Sequence, residues 1–208
     1  MVLAAGASRR LGTCKALVRL GPRTALEHLL AAGADLGPEP PLVIAGPDFD
    51  AIAAAAPRGV RVLANPDWEA GRTGSVAVAV RVLPERDLCL APVDVPLVPR
   101  GVFRALAAAW AAAGSPATGW LAPHVEVESR RRSGHPVVLG RALLQRAATG
   151  DPAAALRGFR SFADPIWSIP VAGNEILDDL DDPFDLERLR SRFEAEDPDS
   201  PPPSTPQP

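Results

Sequence analysis

Residues 3–15, LAAGASRRLGTCK, combine small residues with side chains that donate hydrogen bonds. Small residues let backbone N–H groups approach an anion closely, and Ser8, Arg10 and Lys15 add donors around it. Lys15 is also the only lysine in a chain that has 22 lysines and arginines together. An ammonium group is a compact charge that fits among phosphate oxygens, whereas a planar guanidinium needs more room. The stretch therefore predicts a loop that binds a polyphosphate.

This loop differs from two common phosphate-binding motifs. In the Walker loop, the lysine directly follows the second glycine and precedes a serine or threonine. Here Lys15 lies three positions after Gly12 and precedes Ala16, and the sequence contains no G-x-G-x-x-G. We therefore expect a phosphate-binding loop of another kind. The alternative is that the single lysine was retained by chance.

Aspartates follow one predicted strand and precede the last predicted helix. Asp94 stands between two prolines after the apolar run DLCLAPV. The segment 177–189, LDDLDDPFDLERL, carries Asp178, Asp179, Asp181, Asp182 and Asp185. Two carboxylates from separate strand ends suit a magnesium ion whose other ligands come from phosphate and water. Asp94 by itself is also typical of a turn or a helix cap, and some of the later aspartates are expected to be caps.

The elements that position these residues follow from hydrophobic periodicity. Short apolar runs alternate with longer amphipathic patterns, which predicts a parallel sheet with crossover helices, and ligands bind at the carboxyl ends of the strands in such a sheet. Predicted strands are MVLAA, PLVIAG, VRVLANP, DLCLAPVDVPLV and IWSIPV, with GWLAPHVEV and HPVVLG as further apolar runs. Predicted helices are TALEHLLAAGADL, FDAIAAAA, TGSVAVAVRVL (whose valines also suit a strand), RGVFRALAAAWAAAG, RALLQRAA and one after DLDDPF.

Length and composition limit the class of protein. The chain has 208 residues, of which 47% are hydrophobic, and this suits one domain with a sizeable core. We expect the domain over 1–195 and a disordered, proline-rich tail over 196–208. A net charge of −3 gives no basic footprint for a nucleic-acid partner. No apolar run approaches the roughly 20 residues of a membrane span, and no signal-peptide pattern is present, so we expect a cytoplasmic protein without a membrane partner.

Other side chains that could react carry weaker signals. Cys89 lies in an apolar run and is expected to be a small buried side chain. Cys14 lies in the loop and could contact a ligand, but no histidine nearby in the sequence would activate it. His28 falls on a predicted helix and is expected to be structural or exposed. The arginine run 130–132 is expected to be a solvated loop rather than an anion site.

Five segments together resemble a known family. LAAGASRRLGTCK fits the signature L-A-A-G-x-S-x-R-x-G-x-x-K of nucleotidyltransferases with a MobA-like domain, which include the molybdenum-cofactor cytidylyl- and guanylyltransferases. ANPDWEAGRTGSV, LAPVDVPLV, SGHPVVLG and LDDLDDPFDLERL resemble the family's later motifs in the same order. The resemblance implies a three-layer α/β/α sandwich with a Rossmann-like, mostly parallel sheet of the nucleotide-diphospho-sugar transferase type.

The resemblance also implies a reaction and a site. The reaction is Mg²⁺-dependent attack of an acceptor phosphate on the α-phosphorus of CTP or GTP, with release of pyrophosphate. The implied acceptor is a small phosphorylated molecule, molybdopterin or a related cofactor precursor, and the implied protein partner is a molybdoenzyme or a maturation factor. The implied catalytic residues are Lys15, Arg10 and Asp94. Nucleotide-binding residues would be Leu3, Ala4, Ala5, Gly6, Ser8, Lys15, Thr73, Gly74 and Ser75, the metal ligands Asp94 and Asp181, and the acceptor-side residues Gly134 and His135.

Departures from the family pattern leave alternatives open. Val93 stands where many relatives have glycine, and TCK replaces the RPK of many cytidylyltransferases, so the base is not decided. TGDPAAALRGF resembles the acceptor-side segment only loosely, which keeps a sugar phosphate or a phospholactate as alternative acceptors. A nucleotide-binding regulatory or chaperone-like protein without turnover is the alternative of another class. His135 could also only shape its loop, and the short first strand favours a start upstream of Met1.

Overall fold

The computed structural model describes residues 1–37 and 39–196. Its strands are β1 (Val2–Ala4), β2 (Arg19–Leu20), β3 (Arg23–Thr24), β4 (Leu42–Ala45), β5 (Arg61–Ala64), β6 (Leu88–Pro92), β7 (Trp120–Val127), β8 (Arg130–Ser133), β9 (Val137–Leu139) and β10 (Ile166–Pro170). Its α-helices are α1 (Ala25–Ala32), α2 (Phe49–Ala55), α3 (Arg72–Val82), α4 (Arg100–Ala112), α5 (Arg141–Thr149) and α6 (Pro183–Glu196). Within the described residues, every helix is too short or too polar to cross a membrane. The predicted tail, apart from Glu196 at the end of α6, lies outside the described residues.

One mixed sheet of eight strands forms the centre of the fold. Its order is β5-β4-β1-β6-β9-β7-β10, and β8 pairs with β7 beside this path. Strands β5, β4, β1 and β6 are parallel, β9 runs antiparallel to both β6 and β7, and β10 is parallel to β7. The prediction of a mostly parallel sheet flanked by helices is confirmed.

Alternate side chains of the central strands pack on opposite faces of the sheet. In β1, Val2 belongs to the buried cluster that includes side chains of α1, α2, α4 and α6, whereas Leu3 belongs to the cluster with α3 and α5. Val43 and Ile44 of β4 divide in the same way. Because successive side chains of a strand point to opposite faces, helices cover both faces of this sheet. The result is the three-layer α/β/α sandwich.

The parallel strands bring two polar segments to one edge of the sheet. β1 lies between β4 and β6, and Leu3 is in register with Ile44 on one side and Pro92 on the other. The loop 5–14 that follows β1 and the segment 93–99 that follows β6 therefore begin side by side. This edge, at the carboxyl ends of the strands, is the one at which the sequence predicts that a ligand binds.

The arginine run is a correction to the sequence prediction. Residues 130–132 form most of β8 rather than a loop, because a two-residue turn at Glu128 and Ser129 folds the chain back onto β7. Both turn residues have left-handed φ angles, 50° and 60°, as a tight hairpin requires. The arginine side chains remain exposed, so the expectation of solvated side chains is correct while the backbone assignment is wrong.

Helix α1 begins at a capping box, which generates a stability prediction. Thr24 Oγ1 accepts from Glu27 N–H at 3.2 Å, and Glu27 Oε2 accepts from Thr24 N–H at 2.7 Å. Thr24→Ala removes the first of these bonds and is expected to lower the free energy of unfolding by about 1 kcal/mol in chemical denaturation. Thr24→Ser keeps the hydroxyl and is the matched control. Equal losses in the two variants would contradict the cap.

Candidate functional site

A cleft of about 560 Å³ opens at the carboxyl edge of the sheet. Its walls come from the end of β1 and the following loop, from the start of α3 with the turn before it, and from the end of β6. The residues of the sequence prediction that line it are Leu3, Ala5, Gly6, Ser8, Lys15, Ser75 and Asp94. Trp68, Glu69 and Arg72, which the sequence did not single out, line it as well.

The loop after β1 is held in a tight form by Ser8. This residue has a φ of 50°, in the left-handed region that non-glycine residues rarely adopt. Its side-chain oxygen accepts from Lys15 N–H at 3.2 Å, and its carbonyl accepts from Gly12 N–H at 3.0 Å. Ser8 thereby fixes the turn that brings Lys15 to the cleft, and its hydroxyl proton is still available to an anion.

Lys15 and Arg10 share one carboxylate. Lys15 Nζ donates to Asp181 Oδ1 at 2.6 Å, and Arg10 Nη2 donates to Asp181 Oδ2 at 2.6 Å. The Lys15 side chain is only 14% exposed, while that of Arg10 is 70% exposed. The hydrogen bond from Lys15, with the charges of both basic groups, lowers the pKa of Asp181. Asp181 is therefore ionised at neutral pH and attaches the segment before α6 to the loop after β1.

Asp94 has one paired and one unpaired carboxylate oxygen. Arg72 Nη2 donates to Asp94 Oδ2 at 2.8 Å. Oδ1 is buried, and no group within residues 1–37 and 39–196 forms a hydrogen bond with it. A buried acceptor without a donor is costly, and a cation beside it would relieve that cost. The unpaired oxygen therefore fits a divalent cation.

The two acidic segments meet at the Asp94 backbone. Leu180 N–H donates to the Asp94 carbonyl at 2.7 Å, so the neighbours of Leu180 are held close to Asp94. Partial burial, followed by the negative charges of Asp94 and Asp181, raises the pKa of Asp179. In the described part of the chain, no group of three or more His, Cys, Asp or Glu side chains could hold a metal ion. A cation at Asp94 would therefore need ligands from phosphate or water.

Asn65 is a buried residue of the site that sequence reasoning missed. Its Nδ2 donates to Ser75 Oγ at 3.1 Å, and its Oδ1 accepts from Asp67 N–H at 3.1 Å. Asn65 is 2% exposed and follows β5 directly. It thus joins the end of β5 to the start of α3 and orients Ser75 in the cleft wall. The sequence signal, Asn before Pro after an apolar run, is equally typical of an ordinary turn.

Thr73 and Gly74 lie behind the cleft wall rather than in it. The buried Thr73 hydroxyl donates to the Ala154 carbonyl at 2.6 Å, which ties α3 to the segment after α5. A side chain at Gly74 would lie 3.4 Å from Asn65 Nδ2. Of the three α3 residues that the resemblance implies, Ser75 is the one with access to the cleft.

Gly134 and His135 lie against the segment that begins at Ile176 and leads to Asp181. A Cβ at Gly134 would lie 2.2 Å from the Ile176 carbonyl oxygen, and His135 N–H donates to that oxygen at 3.0 Å. The connection between β8 and β9 at 134–135 therefore packs directly against the chain that leads to Asp181. Burial, followed by the nearby charge of Arg72, lowers the pKa of His135. Its Nδ1 is buried and has no hydrogen-bond partner in the described residues.

The other reactive side chains have structural explanations. Burial, followed by the charge of Asp48, raises the pKa of Cys14 to about 11, so the group is a thiol rather than a nucleophilic thiolate at neutral pH. His28 Nε2 donates to the Leu20 carbonyl at 2.8 Å, and its ring lies 5.2 Å from that of Phe193. These contacts give His28 a structural role, one of the two that the sequence left open.

Comparisons with known proteins place this geometry in context. A family model described as MobA-like NTP transferase domain matches residues 1–166. The solved structure of Rv0371c from Mycobacterium tuberculosis H37Rv is 26% identical with a TM-score of 0.73, and the alignment covers 91% of this chain and 96% of that chain. The structure of Rv0371c in complex with manganese is 23% identical with a TM-score of 0.71, and that alignment also covers 91% of this chain and 96% of that chain. Molybdopterin-guanine dinucleotide biosynthesis protein A from Archaeoglobus fulgidus shares the fold, with 18% identity and a TM-score of 0.68. The alignment covers 93% of this chain and 97% of that chain. No curated protein matches the chain.

The close approach at Gly134 predicts a position-specific loss of stability. Gly134→Ala forces a methyl group against the Ile176 carbonyl, and such overpacking is expected to cost about 1–3 kcal/mol of unfolding free energy. Gly158→Ala is the matched control, because no atom lies within 4 Å of a Cβ at that position. Chemical denaturation measures both variants. Stability equal to the wild type in Gly134→Ala would show that this contact does not hold the acidic segment.

Proposed function

Because the chain belongs to the MobA-like NTP transferase domain family and is a nucleotidyltransferase, we propose that it transfers a nucleoside monophosphate from CTP or GTP to a small phosphorylated acceptor. The observation that carries the proposal is the 2.6 Å contact between Lys15 Nζ and Asp181 Oδ1. That contact joins a basic, glycine-containing loop to an acidic segment beside one cleft. A triphosphate with a divalent cation needs this combination of charges.

The loop after β1 would hold the triphosphate. Gly6 leaves the backbone open, since no atom lies within 4 Å of where its Cβ would be. Ser8, Arg10 and Lys15 then supply a hydroxyl donor and two positive charges at the loop. The Lys15 side chain is mostly buried, so its charge would act on a phosphate more strongly than that of a freely hydrated lysine. Lys15 would exchange its contact with Asp181 for phosphate oxygens.

The base and ribose would lie along the neighbouring wall. The backbone at 3–5 leaves β1 on one side of the cleft, and Ser75 faces it from α3. Asn65 holds the Ser75 hydroxyl through Nδ2, so Ser75 Oγ is an oriented polar group. Thr73 and Gly74 would contribute by shaping this wall from behind. The choice between CTP and GTP would be made here, and we propose both as candidate donors.

Asp94 and Asp181 would hold Mg²⁺. The unpaired, buried Oδ1 of Asp94 is the feature that fits a cation, and Asp181 reaches the same region through the Leu180–Asp94 backbone bond. The manganese complex of Rv0371c supports a divalent cation for this chain. When bound, the cation neutralises phosphate charge during the transfer. Release of Asp181 by Lys15 and Arg10 would make its oxygens available.

The reaction needs positioned charges rather than a protein nucleophile. An oxygen of the acceptor phosphate forms a bond to the α-phosphorus, the bond from the α-phosphorus to the α,β-bridging oxygen breaks, and pyrophosphate leaves with that electron pair. Lys15 and Arg10 would stabilise the charge that develops on the leaving pyrophosphate. Neither the thiol of Cys14 nor a catalytic triad is required for this transfer.

Molybdopterin or a related cofactor precursor is the proposed acceptor. Two things support it: the MobA-like family assignment, and the shared fold of the Archaeoglobus fulgidus protein whose name specifies molybdopterin-guanine dinucleotide biosynthesis. The acceptor would enter beside Gly134 and His135, whose backbone lies against the segment that carries Asp181.

A nucleotide panel tests the donor. CTP, GTP, ATP and UTP, each with and without Mg²⁺, are added to the protein in a thermal-shift measurement. A ligand at 100 times its Kd adds roughly 2.7 kcal/mol to native stability, so binding gives a clear rise in melting temperature. We expect a Mg²⁺-dependent rise with CTP or with GTP. A folded protein whose stability none of the four nucleotides raises would contradict the proposal, and binding without pyrophosphate release would favour the non-catalytic alternative.

Variants of Lys15 and Asp94 test the site. Lys15→Ala and Asp94→Ala are each expected to abolish pyrophosphate release while the fold stays intact, a loss of at least about 100-fold. Lys15→Arg keeps the charge but not the compact ammonium geometry, and we expect it to lose most activity as well. Arg58→Ala, at an exposed position away from the cleft, is the control. Full pyrophosphate release by Lys15→Ala or Asp94→Ala would overturn the site assignment.

A further inference from the structure

The proposed reaction brings two anions together, and the cleft has to balance the negative charge of each. The triphosphate would be met by Lys15 and Arg10 on the loop after β1. The acceptor phosphate is a second anion that must approach the α-phosphorus from another direction. A separate positive charge on the acceptor side would reduce the repulsion between the two substrates.

Arg72 is the basic residue in the right position. Three basic side chains line the cleft in the described residues: Arg9, Lys15 and Arg72. Arg9 is 79% exposed and pairs with Glu69, and Lys15 belongs to the triphosphate loop. Arg72 instead is the first residue of α3, a different element of the cleft lining, and contacts Asp94.

Arg72 has donors to spare. A guanidinium carries five N–H groups, and the contact with Asp94 Oδ2 uses Nη2. No other hydrogen bond of the Arg72 side chain is present among the described residues, and 55% of the side chain is exposed. The planar group can therefore keep Asp94 and offer its other edge to two oxygens of a phosphate.

Arg72 also lies near the residues expected at the acceptor side. Arg72 holds the Asp94 side chain, and the Asp94 carbonyl accepts from Leu180 N–H. The Ile176 carbonyl, four residues before Leu180, accepts from His135 N–H, so a short series of contacts connects Arg72 with His135. The Arg72 guanidinium is always charged, so it supplies a positive charge beside Asp94 in the cleft.

We propose that Arg72 binds the phosphate group of the acceptor while it holds Asp94 Oδ2. The proposal rests on the proposed nucleotidyl transfer and names a phosphate monoester dianion as the group recognised at this position. Arg72 thereby links recognition of the acceptor to the carboxylate that would hold the cation.

Titration of methyl phosphate, a minimal phosphate monoester, tests this role. The protein is first saturated with Mg²⁺ and the non-hydrolysable α,β-methylene analogue of the nucleotide that stabilises it most, and methyl phosphate is then titrated calorimetrically. Arg72→Gln is expected to weaken methyl phosphate binding roughly 10- to 100-fold, the range for a hydrogen bond to a charged group. Arg72→Lys keeps the charge without the two-oxygen geometry and is expected to fall between Arg72→Gln and the wild type. Arg81→Gln, on the exposed far end of the same helix, is the matched control and should equal the wild type.

The affinity for the nucleotide analogue separates the possible outcomes. We expect Arg72→Gln to bind the Mg²⁺–analogue complex within about threefold of the wild type. The proposed triphosphate contacts lie on the loop after β1, and the oxygen that fits the cation is Asp94 Oδ1, not the Oδ2 that Arg72 holds. A parallel loss of analogue affinity would overturn the proposal, since Arg72 would then act on the donor or the cation. Unchanged methyl phosphate binding in Arg72→Gln, or no binding by the wild-type complex, would overturn it as well. Failure of the wild type to bind any analogue would instead contradict the proposed function itself.

Discussion

The segment 176–181 is fixed at both ends by backbone hydrogen bonds, and the site depends on this attachment. His135 N–H donates to the Ile176 carbonyl at 3.0 Å, and Leu180 N–H donates to the Asp94 carbonyl at 2.7 Å. Ile176 and Leu180 are both buried, so apolar packing holds the same two points. The chain between them has little freedom, and Asp181 emerges where Lys15 can reach it. Two backbone contacts thus place a carboxylate from the end of the chain against a lysine near its beginning.

Local charge, rather than the charge of the whole protein, would suit the cleft to the proposed triphosphate. The chain has a net charge of −3, yet Lys15, Arg10 and Arg72 converge on two carboxylates at this edge of the sheet. The ion pairs keep the basic groups ordered, so little side-chain entropy is lost when an anion replaces a carboxylate. A divalent cation that took over Asp181 and the unpaired oxygen of Asp94 would release Lys15 and Arg10 at the same moment, while Arg72 kept Asp94 Oδ2. If the proposed site is correct, cation and triphosphate would therefore favour each other's binding through the residues that both use.

The sequence was informative where residue type is unusual and uninformative where it is common. Lys15 stands out because no other lysine is present, and Asp94 stands out because it follows a strand and lies between two prolines. Arg72 is one of many arginines, and nothing in its neighbours shows that it faces Asp94 across 22 residues of chain. In the sequence, Asn65 is typical of a turn. Only the structure, in which the start of α3 lies beside the end of β5, shows that its side-chain amide donates to Ser75. Thr73 looks like a cleft residue from its motif, but the helix turns its hydroxyl towards Ala154.

The region that the family model matches does not include the whole candidate site. The family model ends at residue 166, so it includes the loop after β1, Asp94 and the start of α3, but not the segment that carries Asp181. The 2.6 Å contact of Asp181 with Lys15 nevertheless makes that segment part of the site. The proposed donor-side residues therefore lie within the matched region, while one of the two proposed cation ligands lies beyond it. Since the same sheet can support different loops and later segments, differences in acceptor among relatives are expected to arise on the Arg72 and His135 side, where α3 and the later segments meet.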